Sequence, residues 1–237
     1  MKFNYIGSFG VAAGLAFGLA AASAGATTVT ITGVGFYPAD YVTFEGAVTN
    51  GGPGPYTRLT GPIALNLNGS SDLTWVYCLD WDHTIPAFLG AQLPSDLTYA
   101  YGTLNNDSTG TLSNTGNALS PTVSGEIATL LYQGVPAAAS GASGEQLLAY
   151  QAAIWDLEYN LTQNAGDASP SELALINSDI AYAVAHPSSS RALTLYSTDG
   201  ATQGLGTVPE PAAWSLMLLG FGGLGAALRS RRKAVAA

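Results

Sequence analysis

The chain has few of the residues that usually announce a function. Its one cysteine, Cys78, excludes an internal disulfide framework. It is also short of cations. Between residues 27 and 207 lie fifteen of the 16 acidic residues but only two of the 7 basic ones, Arg58 and Arg191, a net charge of −13. Such a surface repels phosphate backbones and anionic lipid, so nucleic acid is excluded as a partner. There is no internal repeat. With 2 histidines in 237 residues, metal chemistry has little to draw on. Asp80, Asp82 and His83 stand together, but they fall on alternate faces of an extended segment and no second ligand group accompanies them, so no metal is expected and they read as solvated strand-end residues. His83 as a base for Cys78 would need an orienting third group that the sequence does not place. The expectation is a protein that is not an enzyme and carries no cofactor.

What is present begins with the two ends. Residues 1–26 read as a signal peptide: Lys2, an apolar run from Val11 to Ala22, and small residues at Ala22-Ser23-Ala24 or Ala24-Gly25-Ala26 for cleavage. At the other end, Pro211 to Leu228 is an uncharged stretch of 18 residues. As a helix it would reach roughly 27 Å, just short of a bilayer's hydrocarbon core. Arg229, Arg231, Arg232 and Lys233 follow, a basic tail (229–233) that would keep the C-terminus cytoplasmic. Export through the Sec machinery and a transmembrane helix over 211–228 are expected.

The same C-terminal residues are more specific than a plain anchor. Pro209-Glu210-Pro211, Trp214, Met217, Gly220, the glycines to Gly225 and the arginine cluster resemble the PEP-CTERM sorting signal, placed here at 208–237. That resemblance implies an exosortase-type membrane enzyme as a partner, in a Gram-negative bacterium that makes exopolysaccharide. It further implies an inner-membrane-anchored precursor that is cut near Pro-Glu-Pro and delivered to the cell surface or extracellular matrix.

Between the ends lies one acidic ectodomain, 27–207. Thr28–Thr32, Tyr41–Phe44, Pro62–Leu67 and Leu73–Trp81 read as strands rich in β-branched and aromatic residues. In the last of these, Leu73, Trp75, Tyr77, Leu79 and Trp81 alternate with polar or small residues, which puts Cys78 on the opposite face. Residues 50–55 read as a turn and 105–124 as loop. Glu126–Gln133 is expected to be a short helix closed by Gly134, with loop over 136–144. Glu145–Tyr159 is a longer helix with Leu147, Tyr150 or Gln151, Ile154, and Leu157 or Glu158 along one side. Ser169-Pro-Ser-Glu172 is a capping box that opens a third helix through Ala185, with Leu173, Ile176, Ile180 and Val184 as its buried stripe. Residues 191–197 return to strand. The expected class is α+β, a β-sandwich-like ectodomain with a helical insert. Asn68, Asn106 and Asn160 each begin a glycosylation sequon, a match expected by chance in so Asn/Ser/Thr-rich a chain.

Val76-Tyr-Cys-Leu-Asp80, Ile127–Gly134 and Tyr150-Gln-Ala-Ala-Ile-Trp155 occur in that order. Together they resemble the Cys-Gln thioester domain of bacterial surface adhesins, over residues 75–205. The resemblance implies that Cys78, on a Tyr77-Cys78 strand, supplies the thiol of an internal thioester, and that the motif of Gln151 and Trp155 supports it. The acyl group would come from a glutamine on a C-terminal strand, here Gln203 in Ala201-Thr-Gln-Gly-Leu205, where Thr202 replaces an apolar residue. Gln151 is the second choice. Chemically, a thiol that displaces ammonia from a glutamine amide stores an acyl group, and a surface amine can later take it. Two other readings stay open. Cys78 can be a buried small hydrophobe. The protein can be a noncatalytic component of the exopolysaccharide (biofilm) matrix, holding glycans through exposed aromatics such as Tyr99 and Tyr101.

Overall fold

A computed structural model describes residues 28–36, 40–45, 47–48, 52–81, 83, 85, 97–104, 119–163, 168–190, 192–197 and 204–209. The expected signal peptide, the helix at 211–228, the basic tail, Arg191, Asn106 and Gln203 lie outside them. Among the described residues, no helix is long and apolar enough to cross a membrane.

Among the described residues, eleven strands and three helices occur in the order β1 (Thr28–Phe36), β2 (Asp40–Glu45), β3 (Ala47–Val48), β4 (Gly52–Pro53), β5 (Tyr56–Thr60), β6 (Ile63–Leu67), β7 (Leu73–Cys78), β8 (Thr98–Thr103), α1 (Pro121–Ser140), α2 (Gly144–Tyr159), β9 (Thr162–Gln163), α3 (Pro170–Ala185), β10 (Leu193–Ser197) and β11 (Leu205–Thr207). The class is mixed helix and strand, as expected, but the main sheet closes. Its order is β1-β6-β7-β11-β10-β8, and β8 pairs back onto β1. Closure depends on β1 serving two neighbours. Its first residues pair with β8 and its later ones with β6, and the register shifts between Ile31 and Gly33. A bulge of this kind sharpens the local twist and lets one strand turn a corner. At Gly33 a Cβ would come within 2.6 Å of Asn66 Oδ1, so any larger residue would have to displace the Asn66 carboxamide. A smaller sheet, β5-β2-β9, lies apart from the barrel in the pairing order.

The helices correct two expectations. Helix α1 is not a short segment stopped by Gly134. It starts at Ser120, whose Oγ accepts the N–H of Val123, with Pro121 in the first turn, and it runs through Gly134 and Pro136 to Gly141. Gly141 is the true cap, left-handed at φ 74° and bonded back to Ala137 and Ala138. Gly134 is a packing residue: a Cβ there would lie 2.9 Å from the Tyr77 ring. In α3 the capping box forms as read, with Glu172 N–H donating to Ser169 Oγ and Ser169 N–H to Glu172 Oε2. Its stripe drifts, however. Val184 is 52% exposed and Ala183 is buried, because a 3.6-residue period from Ile176 reaches 183 rather than 184.

Helix α2 is buried on most of its circumference, since it packs against both other helices and reaches β2, β5 and β9. Two of the sequon asparagines have conformational work. Asn68 (φ 52°) turns the β6–β7 hairpin with Gly69, and Asn160 (φ 53°) ends α2 in the left-handed region that asparagine tolerates.

Candidate functional site

The site is built where β7 outruns its neighbour. Strand β6 pairs with β7 from Asn66↔Leu73 to Ile63↔Val76 and then ends, because the chain turns at Gly61-Pro62. On the other side, β11 sets Leu205 opposite Cys78, and Leu79 N–H donates to the Gly204 carbonyl at 2.9 Å. Successive backbone amides point to opposite edges of a strand. With Leu79 committed to β11, the N–H and C=O of Cys78 face the edge that β6 has left empty.

Gln151 fills that edge. Its Oε1 accepts the Cys78 N–H at 2.7 Å and its Nε2 donates to the Cys78 carbonyl at 2.8 Å. The carboxamide therefore completes the ladder as another strand's peptide would. The side chain is fully buried, and both of its polar atoms are occupied by this clamp.

One face of α2 continues the contact. Residues at i, i+4 and i+8 lie in line on a helix. After Gln151, Trp155 packs edge-on against Trp81 at 4.7 Å, and Tyr159 Oη accepts the Trp81 N–H at 3.0 Å. Phe44 of β2 meets both indoles, and Arg58 lies 5.2 Å over Trp81. Tyr77, on the opposite face from Cys78, reaches α1 and donates its hydroxyl to the Gly134 carbonyl at 3.2 Å. At this end both faces of β7 are covered, so the expected alternation of aromatic and polar positions is not an alternation of core and solvent.

Cys78 is 5% exposed. Burial pushes its thiol strongly up, and the nearby Asp80 and Glu158 carboxylates push it further. The environment favours a neutral sulfur over a thiolate. Asp80 corrects an expectation: it is not a solvated strand end but 1% exposed, with Oδ2 2.8 Å from His83 Nδ1. The orienting group for His83 that the sequence left unplaced is thus Asp80. Among the described residues, no group of three metal-ligating side chains occurs. Tyr99 and Tyr101 are not exposed glycan platforms: β8 closes the barrel, Tyr99 is fully buried and Tyr101 packs partly buried against the core.

Residues 75–185 match the sequence model of the thioester domain. That match spans β7 through α3 and contains both Cys78 and the Gln151 clamp. Residues 207–233 match the PEP-CTERM protein-sorting motif. Among solved structures, the N-terminal thioester domain of a surface protein from Clostridium perfringens aligns with 72% of this chain and 99% of its own, at 15% identity and a TM-score of 0.48. The N-terminal domain of the Streptococcus pyogenes pilus tip adhesin Cpa aligns over 72% of this chain and 95% of its own, at 17% identity and a TM-score of 0.42. In another structure of the pilus-presented adhesin Cpa, this chain covers 49% of the length, at 18% identity and a TM-score of 0.43. No curated protein matches the chain. The chain thus carries a region similar to a thioester domain followed by a protein-sorting motif.

Proposed function

We propose that the module attaches covalently, through an internal thioester between Cys78 Sγ and the side-chain carbonyl of Gln203, and that it is not an enzyme. The observation that carries this reading is the arrangement around Cys78. Its backbone is locked by Gln151 on one edge, and on the other the Gly204 carbonyl is bonded to Leu79. Gln203 is the residue before Gly204 in the sequence. Gln151 is assigned as the support rather than the acyl donor, because its carboxamide is already spent on the strand edge.

The chemistry balances without a cofactor. Sulfur adds to the Gln203 amide carbon, ammonia leaves, and an acyl–sulfur bond remains. An amine on a partner surface later takes the acyl group and restores the thiol. One molecule makes one bond, so this is attachment and not turnover. The neutral sulfur that the site favours is compatible with a thiol or a thioester but not with a free thiolate, which protects the stored bond until a partner arrives.

Exosortase processing follows from the sorting motif on the same reading. Export by the Sec machinery, the inner-membrane precursor and release to the surface complete it. The test is amine incorporation. Incubation with a labelled amine should mark one peptide, containing Gln203, and Cys78→Ala should abolish the label. Labelling that survives Cys78→Ala, or that falls on Gln151, refutes the assignment.

A further inference from the structure

The thioester reading leaves Asp80 and His83 without a role. Asp80 follows Cys78 by two residues, is buried, and lies near enough for its charge to bear on the thiol. Its Oδ2 is 2.8 Å from Nδ1 of His83, whose side chain is 26% exposed. A carboxylate only accepts, so Nδ1 carries a proton, and in the neutral ring Nε2 then keeps its lone pair. This is an oriented imidazole, held by a buried acid, at the exit of the strand that bears Cys78.

We propose that His83, oriented by Asp80, takes the proton from the nucleophile that opens the Cys78 acyl bond and passes it to the departing sulfur, which extends the acceptors from amines to hydroxyl groups such as those of carbohydrates. The proposal rests on the thioester. The acceptor oxygen attacks the acyl carbon, so a C–O bond forms and the C–S bond breaks. The hydroxyl proton moves to Nε2, the sulfur leaves with the electron pair, and the imidazolium returns that proton to sulfur. An ester, a Cys78 thiol and a neutral His83 remain, and no other reactant is consumed.

Two physical reasons make the base necessary. A neutral amine attacks with its own lone pair, whereas a hydroxyl is a weak nucleophile until its proton is removed. The sulfur, buried beside Asp80 and Glu158, is a poor leaving group as a thiolate and must depart protonated. Those two carboxylates, when ionised, have no proton to give.

The test uses the full-length chain in detergent with its thioester formed, treated with methylamine or with glycerol. Wild-type protein should take up both. His83→Gln should lower methylamine uptake by about tenfold and glycerol uptake by about 100-fold or more. In His83→Ala, added imidazole should restore glycerol uptake. Wild-type protein that takes methylamine but no glycerol overturns the proposal. So do equal losses of both acceptors without imidazole rescue, which would mark a structural role. If the variants form no thioester, the wild-type residue can be tested in a His186→Gln background, where His83 is the remaining histidine of the 2 in the chain. Modification of that imidazole by diethyl pyrocarbonate after the thioester has formed should remove glycerol uptake, and retained uptake overturns the proposal. A wild-type mass with no ammonia missing refutes the thioester itself and the His83 role with it.

Discussion

Replacement of Gln151 by Ala tests the geometry of the site most sharply. The substitution removes two buried hydrogen bonds, of 2.7 and 2.8 Å, and leaves the N–H and C=O of Cys78 facing an edge that β6 does not reach. An orphaned buried polar group costs about 1–3 kcal/mol, and here there are two. The truncated side chain adds a small cavity. The expected loss is therefore roughly 2–6 kcal/mol, and at about 2–4 °C per kcal/mol for a domain of this size the Tm should fall by on the order of 5–20 °C. Gln151→Glu should also destabilise: it keeps an acceptor for the Cys78 N–H, loses the donor for the Cys78 carbonyl and buries a charge. Thermal unfolding followed by circular dichroism gives the stability. After methylamine has opened the thioester, the rate at which the released Cys78 thiol is alkylated without denaturant gives the local effect, and it should rise more than the loss of global stability explains. A Q151A protein that melts within about 1 °C of wild type and protects Cys78 equally well would refute the edge-filling role.

Three further outcomes follow from the packing. Gly134→Ala should cost about 1–3 kcal/mol by overpacking, although Ala is the better helix former, because its Cβ would sit 2.9 Å from the Tyr77 ring; a stability gain in denaturant titration would contradict this. Ser169→Ala should lose about 1 kcal/mol by breaking the α3 capping box, measured in the same titration. Burial raises the Asp179 carboxyl to about 6, against a hydrogen bond from Gln146 that lowers it. The folded state then binds this proton more tightly than the unfolded chain, so the stabilising contribution is present below the ordinary carboxylate range and is lost as pH rises to about 6. Asp179→Asn should remove that slope and stabilise the protein at pH 7 by on the order of 1 kcal/mol after allowance for partial exposure, and an unchanged pH profile would contradict it.

How much of this was legible in the chain depends on whether a feature is local. The α3 capping box, the span of α2 and the start of the strand that bears Cys78 are encoded within a few residues of themselves, and each appears where the sequence puts it, although the strand ends at Cys78 and not at Trp81. The length of α1 is not local. Gly134 and Pro136 look like helix breakers, but the glycine is there to admit Tyr77, a residue 57 positions away. Barrel closure likewise depends on pairings between distant strands, β1 with β8 and β7 with β11. The alternating pattern of β8 could show that Tyr99 and Tyr101 share a face, but not that closure turns that face inward. Gln151 was recognisable as part of a motif, while its role follows only from the register that leaves one edge of Cys78 open. Asp80 lies beyond Cys78, where β7 ends, so strand alternation carries no information about its burial.

The central claim is that a covalent bond joins Cys78 to Gln203. The intact mass of the exported protein, before and after methylamine, tests it most directly. The account predicts a mass lower by one ammonia than the sequence requires, and a gain of one methylamine, mapped to Gln203, that releases a titratable Cys78 thiol. A full mass with a free Cys78 and no methylamine uptake would contradict it.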